Sequence, residues 1–559
     1  MRIVRTYLFI AAFACALASP AFAGAPSSER SPAQRVFAHR VDQRATQAEP
    51  FVAATYARRQ MPILAGIDPR TYAIRKAFAA RDPFAPVDLS AGDASPLTTP
   101  VASPKFKGMA DSASVCPYFG GCEPPDMAIA ASTSWVVQVV NTSIAVYGPT
   151  GRLHAGFPKN ARTFFSIPDP SPGGCDPQGP FTSDPRAFYD RATGHFVVAM
   201  LQVEGNFGIA QGCTPLSKIW IAASQTSDPT GAWNVYNVDM DFSHSGFALD
   251  YTQLGFDDQA VYFGGNMFGR QADNSPFEYD EIFFASKAAI ESGSPLTVNG
   301  FFNMTAGGGT LDTLQPVETQ TSPAQRPGVE YLVGSENIAF GGGQCVTGCN
   351  GLDVYAIVDP LGSPSLTGVH ITMTNYTLAP AGDEPGCAGC IETLDTRISG
   401  TPVYTASRGG VISFALESGV NVGSSVLPGI LWGEVQPTID SSGSVTGATM
   451  VQSGVIKGTG DEADSFGATM ASPDGSLWVV YDRMSSTLNP SIAFRVQRAT
   501  DPPGHLESKR ALKGGLAPTF DSRWGDYEAT TLDDAGFVWF ASEFSGSGGD
   551  WSTFIGRDI

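Results

Sequence analysis

The chain has 559 residues, with 54 Asp and Glu against 34 Lys and Arg, for a formal net charge of −20. That surplus of carboxylates excludes the basic surfaces that neutralise nucleic-acid phosphate and disfavours anionic membrane surfaces. With 62 Gly, 41 Pro and only 16% charged residues, the composition suits many short strands separated by turns.

Residues 1–23 read as a Sec-type signal peptide. Arg2 and Arg5 precede an apolar run from Tyr7 to Leu17, and Ala21-Phe22-Ala23 places cleavage after Ala23. The run is too short to span a bilayer. A secreted or periplasmic protein with no membrane insertion is expected. Residues 24–105 form an Ala/Pro-rich segment, read as a flexible N-terminal spacer. A helix is expected over Arg70 to Arg81. The functional alternative to a spacer is a pro-segment lying on the acidic body.

From residue 106 to 559 one unit recurs: an Asp opens a short strand, an Asp/Gly turn follows, and an aromatic-rich strand returns. Its anchors are Asp126, Asp184, Asp250, Asp395, Asp464 and Asp526, with a weak copy near Asp312 or Gln315. Several units then run into a Pro/Gly turn, as in Asp228-Pro229-Thr230-Gly231 and Asp501-Pro502-Pro503-Gly504. Repeats of about 60 residues built only of short strands predict an all-β fold, a seven-bladed β-propeller with an N-terminal extension. After Asp526 too few residues remain for a full unit. The segment around Phe106-Lys107-Gly108 is expected to supply the missing outer strand.

Beyond the leader stand Cys116, Cys122, Cys175, Cys213, Cys345, Cys349, Cys387 and Cys390, an even number that in an exported chain implies disulfides. Local pairs are expected: 116–122, 175–213, 345–349 and 387–390. A four-thiolate zinc site at Cys345, Cys349, Cys387 and Cys390 is the alternative.

The chain lacks G-x-S-x-G, H-E-x-x-H and Walker motifs, and its six His include no pair at metal spacing. Carboxylates, Arg and Tyr are the remaining chemistry. Asp534-Ala535-Gly536-Phe537-Val538-Trp539 resembles the Asp-box of sialidases, a folding element in which an Asp caps a tight turn. Arg186 and Arg397 follow Asp anchors, Arg523 precedes one, and Tyr527 and Glu528 follow one. If the anchors gather at one mouth of the ring, these five residues form a ligand-binding site there. The alternative is that the Asp–Arg pairs brace neighbouring blades. No catalytic residue is assigned and no cofactor is required. Ca²⁺ is the candidate ion for a ring of Asp residues, since hard cations take clustered oxygen ligands.

The runs Glu123-Pro124-Pro125-Asp126, Phe181-Thr182-Ser183-Asp184, Asp250-Tyr251-Thr252-Gln253-Leu254-Gly255 and Arg523-Trp524-Gly525-Asp526-Tyr527 resemble a family of secreted bacterial β-propellers of sialidase-like, Asp-box-like fold. The resemblance covers most of 106–559. It implies a propeller without a settled activity. Glu528 departs from the small polar residue usual there. Two functions follow. One is a monomeric scaffold that binds a glycan, peptide or protein ligand at one mouth. The other is an exo-acting glycoside hydrolase or lyase that uses the same Arg and carboxylate residues.

Overall fold

The computed structural model describes residues 34–41, 69–86, 103–117, 122–168, 180–204, 216–241, 246–269, 276–302, 304–306, 309–310, 312–320, 326–337, 348–519 and 523–558. The signal-peptide reading and Cys175 and Cys213 lie outside them. With 56% strand and 6% helix, the protein is nearly all β.

Strand pairing divides the body into seven four-stranded antiparallel meanders. Their first strands are Ala128–Ala131, Phe181–Asp190, Ala248–Phe256, Gln315–Pro316, Val403–Thr405, Ala463–Ala471 and Ala529–Leu532. The seventh meander has three strands of its own, ending in Trp551–Asp558. Its fourth is Lys105–Ala110, which pairs antiparallel with that last strand through Phe106 opposite Ile555. The expected exchange is therefore present at the predicted residues.

Each meander is covered on both faces, so its strands are apolar along their length rather than alternating. In His195–Glu204, the side chains of Phe196, Val198 and Met200 pack towards the first meander. Those of Val197, Ala199 and Leu201 pack towards the third. A separate core of this kind lies between every successive pair. The seventh also packs on the first, through Trp539, Ala541 and Ile555 against Ile129, Val136 and Ala145.

Two bridges fuse meanders that the repeat treats as separate. Glu318–Thr319 lies parallel between Phe256 of the third and Val403–Tyr404 of the fifth. Gln34–Val41 lies between the outer strands Trp233–Asp239 and Thr297–Phe302 of the second and third. The N-terminal segment therefore differs from a free spacer in two places. Besides that strand it carries helix α1 (Pro69–Ala79), as the sequence predicts, and α1 is docked. Tyr72, Lys76, Ala79, Ala85 and Pro86 are buried, while Ile74, Phe78 and Phe84 face outward.

Cys116 and Cys122 form a disulfide, and Cys349 is disulfide-bonded to a partner outside the described residues. The expected 387–390 pair is not formed, and both thiols are free. They lie three apart on the strand Cys387–Ile391, where such positions point to opposite faces. With Cys349 engaged, the four-thiolate zinc alternative does not assemble either.

The Asp-box turn uses a different carboxylate from the expected one. Asp533, not Asp534, accepts from Ala535 N (3.0 Å), Phe537 N (2.9 Å) and Trp539 Nε1 (3.0 Å). Asp534 instead reaches the first meander and accepts from Thr133 Oγ1 at 2.9 Å. Asp257 repeats the device with Gln259 N, Ala260 N and Tyr262 OH.

Candidate functional site

At the start of every meander the backbone passes through one residue at positive φ: Asp126 (43°), Asp184 (50°), Tyr251 (61°), Thr313 (47°), Leu394 (54°), Phe466 (57°) and Gly525 (26°). A residue with a side chain holds that conformation only if its surroundings impose it. At four of them an acceptor of the preceding meander catches its amide. Asn141 Oδ1 accepts from Asp184 N at 2.7 Å, Asp184 Oδ2 from Tyr251 N at 2.7 Å, and Asn266 Oδ1 from Thr313 N at 2.8 Å. Glu417 Oε2 accepts from Phe466 N at 2.9 Å. Between the seventh meander and the first, Asp126 Oδ1 accepts from Asp526 N, next to the positive-φ Gly525, at 2.9 Å. Asp126 and Asp184 are thus inter-sheet clasps.

The same turns aim side chains of several meanders at one another. The Arg186 guanidinium lies 3.5 Å from the centre of the Tyr527 ring and 5.3 Å from that of Tyr251. Its Nε donates to the Thr252 carbonyl at 2.8 Å, while Nη2 has no partner. Arg397 lies 4.5 Å from the Tyr251 ring and forks onto Asp395, Nε to Oδ1 at 2.8 Å and Nη2 to Oδ2 at 2.6 Å. Arg523 pairs with Asp526, Nη2 to Oδ2 at 2.8 Å. The two Tyr rings meet edge to face. Tyr527 OH donates to the Pro185 carbonyl at 2.8 Å, and Tyr251 OH lies 3.1 Å from the carbonyls of Ile398 and Ser399.

Carboxylates outnumber guanidinia at this centre. Burial, then Asp526 and Asp184, pushes Asp126 up; burial and Asp526 push Asp184 up. Burial, then Asp184 and Asp526, does the same to Asp250, which is partly exposed. Asp395 is the opposite case. Burial disfavours its charge, but Arg397 outweighs this and holds it below the usual range. Four of the five expected ligand-binding residues are therefore together: Arg186, Arg397, Arg523 and Tyr527. Tyr251 belongs with them and sequence reasoning missed it. The signal was there, since Asp250-Tyr251 repeats Asp526-Tyr527.

The fifth, Glu528, lies elsewhere, and so does the anchor Asp464. Glu528 is enclosed with Asp482 and Glu543 between the sixth and seventh meanders, and burial followed by Asp482 drives it up. Asp464 faces Glu462, Lys509, Arg495 and Arg483, where burial and Glu462 push it up to about 7. The Ca²⁺ expectation finds no preformed cage at the centre. Among the described residues only Asp111, Cys116 and Cys122 bring three ligand atoms within 4.8 Å of one another, and two of those are the disulfide sulfurs. No described helix is long and apolar enough to cross a membrane.

No protein family matches the chain, and no curated protein does. Solved structures similar to parts of it include the Hadza microbial sialidase Hz136, at 9% identity over 76% of this chain and 74% of that one, with a TM-score of 0.36. A Trypanosoma rangeli sialidase shares 8% identity over 82% of this chain and 60% of its own, with a TM-score of 0.33. A family-43 β-1,3-galactosidase shares 13% identity over 57% of this chain and 92% of its own, with a TM-score of 0.27. At these scores none bears on what this chain does.

Proposed function

We propose that the seven meanders close into a seven-bladed β-propeller behind an N-terminal extension, and that the protein is an exported, monomeric binding scaffold. Its ligand, a polar group on a glycan, peptide or protein, docks at the mouth where Asp250 meets solvent, above the buried and unpartnered Arg186 Nη2. The observation that carries this reading over the glycoside hydrolase or lyase is the use of the two tyrosine hydroxyls. Both are committed to main-chain carbonyls, and burial raises both above the usual phenol range. A tyrosine nucleophile needs the reverse, a base beside a hydroxyl that is free to attack. Arg397 and Arg523 are likewise closed on Asp395 and Asp526, which leaves no three-fold clamp for a substrate carboxylate.

The test is a binding and turnover screen of the full chain on arrayed glycans and peptides and on fluorogenic glycosides. Binding without turnover is expected. Arg186→Ala should weaken it at least about tenfold, the effect of losing one charge-assisted contact. Tyr527→Phe should leave it within about twofold and lower stability by about 1 kcal/mol for the lost hydrogen bond. Hydrolysis that Tyr527→Phe abolishes would establish the enzyme instead.

A further inference from the structure

Helix α1 delivers one buried ammonium to the acid-rich mouth. Lys76 is 7% exposed. Its Nζ donates to Thr393 Oγ1 at 2.8 Å and to the Leu394 carbonyl at 2.7 Å, and pairs with Glu392 Oε1 at 2.9 Å. Three acceptors match the three protons of an ammonium. The Thr393 hydroxyl donates its own proton to the Pro380 carbonyl at 2.8 Å, which leaves its lone pairs for Nζ. Tyr72, one helical turn before Lys76, donates to the same Glu392 oxygen at 3.0 Å. Burial disfavours the Glu392 charge, yet Lys76 holds that carboxyl below its ordinary range. The cradle belongs to the body and immediately precedes Asp395 and Arg397; the cation comes from the N-terminal arm.

Thr71 and Arg75 of α1 also have partners, but the helix does not stand by itself. α1 has 11 residues, a length that is marginal for an isolated helix. Ile74, Phe78 and Phe84 are 47%, 72% and 47% exposed, so most of its large apolar side chains contribute little burial. A second polar tie lies at Asn421, whose Nδ2 donates to the Ala85 carbonyl at 2.6 Å and whose backbone N donates to that of Pro86 at 3.1 Å.

We infer that Glu392, Thr393 and Leu394 form a recognition site for the side-chain ammonium of a lysine-bearing peptide, and that Lys76 is a built-in occupant which such a peptide displaces. The inference deepens the proposed scaffold reading and rests on it for the choice of face. The bound occupant specifies the partner: a peptide segment with Lys at one position and Tyr four residues before it, both meeting one carboxylate.

The probe is a labelled peptide of the sequence from Pro69 to Pro86, with a copy that carries Met in place of Lys. Lys76→Met in the full chain vacates the cradle and keeps an apolar stem of similar length. This chain should bind the Lys peptide at least about tenfold more tightly than the unmodified chain does, about 1.4 kcal/mol. The Met peptide, or Glu392→Gln added to Lys76→Met, should lose that gain. In the unmodified chain, which needs no variant, saturating Lys peptide should accelerate amide hydrogen exchange within α1. Equal affinity for the two peptides, or unchanged exchange at saturation, overturns the inference. Displacement by glucosamine as effective as by Nα-acetyl-lysine amide overturns its assignment to a peptide. A ligand lost on Arg186→Ala in a chain indifferent to the Lys peptide sinks this inference alone. Peptide capture in a chain indifferent to Arg186→Ala sinks only the role given to Arg186.

Discussion

A guanidinium enclosed as Arg397 is, at 4% exposure, tolerates burial only while a carboxylate faces it. Asp395 supplies both oxygens, and the pair is worth little net against an apolar replacement but much against a broken one. Asp395→Asn should therefore cost about 3–5 kcal/mol in denaturant unfolding, because it strands the charge. A loss under about 1 kcal/mol would mean that the Tyr251 ring and solvent already satisfy the guanidinium. The Arg residues were legible in the sequence because Arg186 and Arg397 keep a fixed spacing from an Asp. Tyr251 is legible only when Asp250-Tyr251 is set beside Asp526-Tyr527, since a lone aromatic in a strand-rich chain reads as core. Asp533 was mistaken for Asp534 because two adjacent carboxylates are equivalent as letters, and only the turn decides which one caps it.

Among the elements, the repeat seen as an Asp letter is in the fold a repeated backbone conformation. The positive-φ residue is the Asp itself at 126 and 184, the residue after it at 251, the residue before it at 394, and two residues beyond it at 466. Side-chain identity drifts around a fixed αL position, so counting Asp residues locates the meanders but wrongly carries the anchor Asp464 to the mouth shared by the others. The docking of α1 stands in the sequence only as the alternative of a segment lying on the acidic body, because ties such as Lys76 and Tyr72 to Glu392 carry no pattern that marks them among the 34 basic residues. The exchanged strand Lys105–Ala110 gives a sharper test. Gln138 Oε1 accepts from Met109 N at 2.9 Å, and Thr553 Oγ1 donates to the Met109 carbonyl at 2.7 Å. A Cβ on Gly108 would lie 2.5 Å from Thr553 Oγ1. Gly108→Val should thus prise the strand from both neighbours and lower stability by about 1–3 kcal/mol, the cost of overpacking. Gly514→Ala, where a Cβ meets nothing within 4 Å, is the matched control and should be nearly neutral.

For the whole molecule, the balance of buried carboxylates sets how stability varies with pH. Burial lifts Asp464 and Asp482 to about 7 and Glu417 to about 8. Their unfolded counterparts ionise near pH 4. The stability they contribute is fully present below pH 4 and is lost as pH rises towards 7–8, since the unfolded chain then binds fewer protons. Glu392 and Asp395 act oppositely and contribute above pH 4. The melting temperature should fall between pH 5 and pH 8, by about 3 °C or more, and Glu417→Gln should flatten that fall. A rising melting temperature across the window would show that these groups stay ionised in the fold. The pairing of Lys105–Ala110 with Trp551–Asp558 also bears on how the chain is made. The first strand of the body to leave the ribosome waits for the last, with 440 residues synthesised between them. No shorter nascent product can complete the seventh meander. A chain that stopped before Trp551 would leave two edges unpaired at once, that of Val538–Ser545 and that of Lys105–Ala110, then the two most distant strands of the body in sequence.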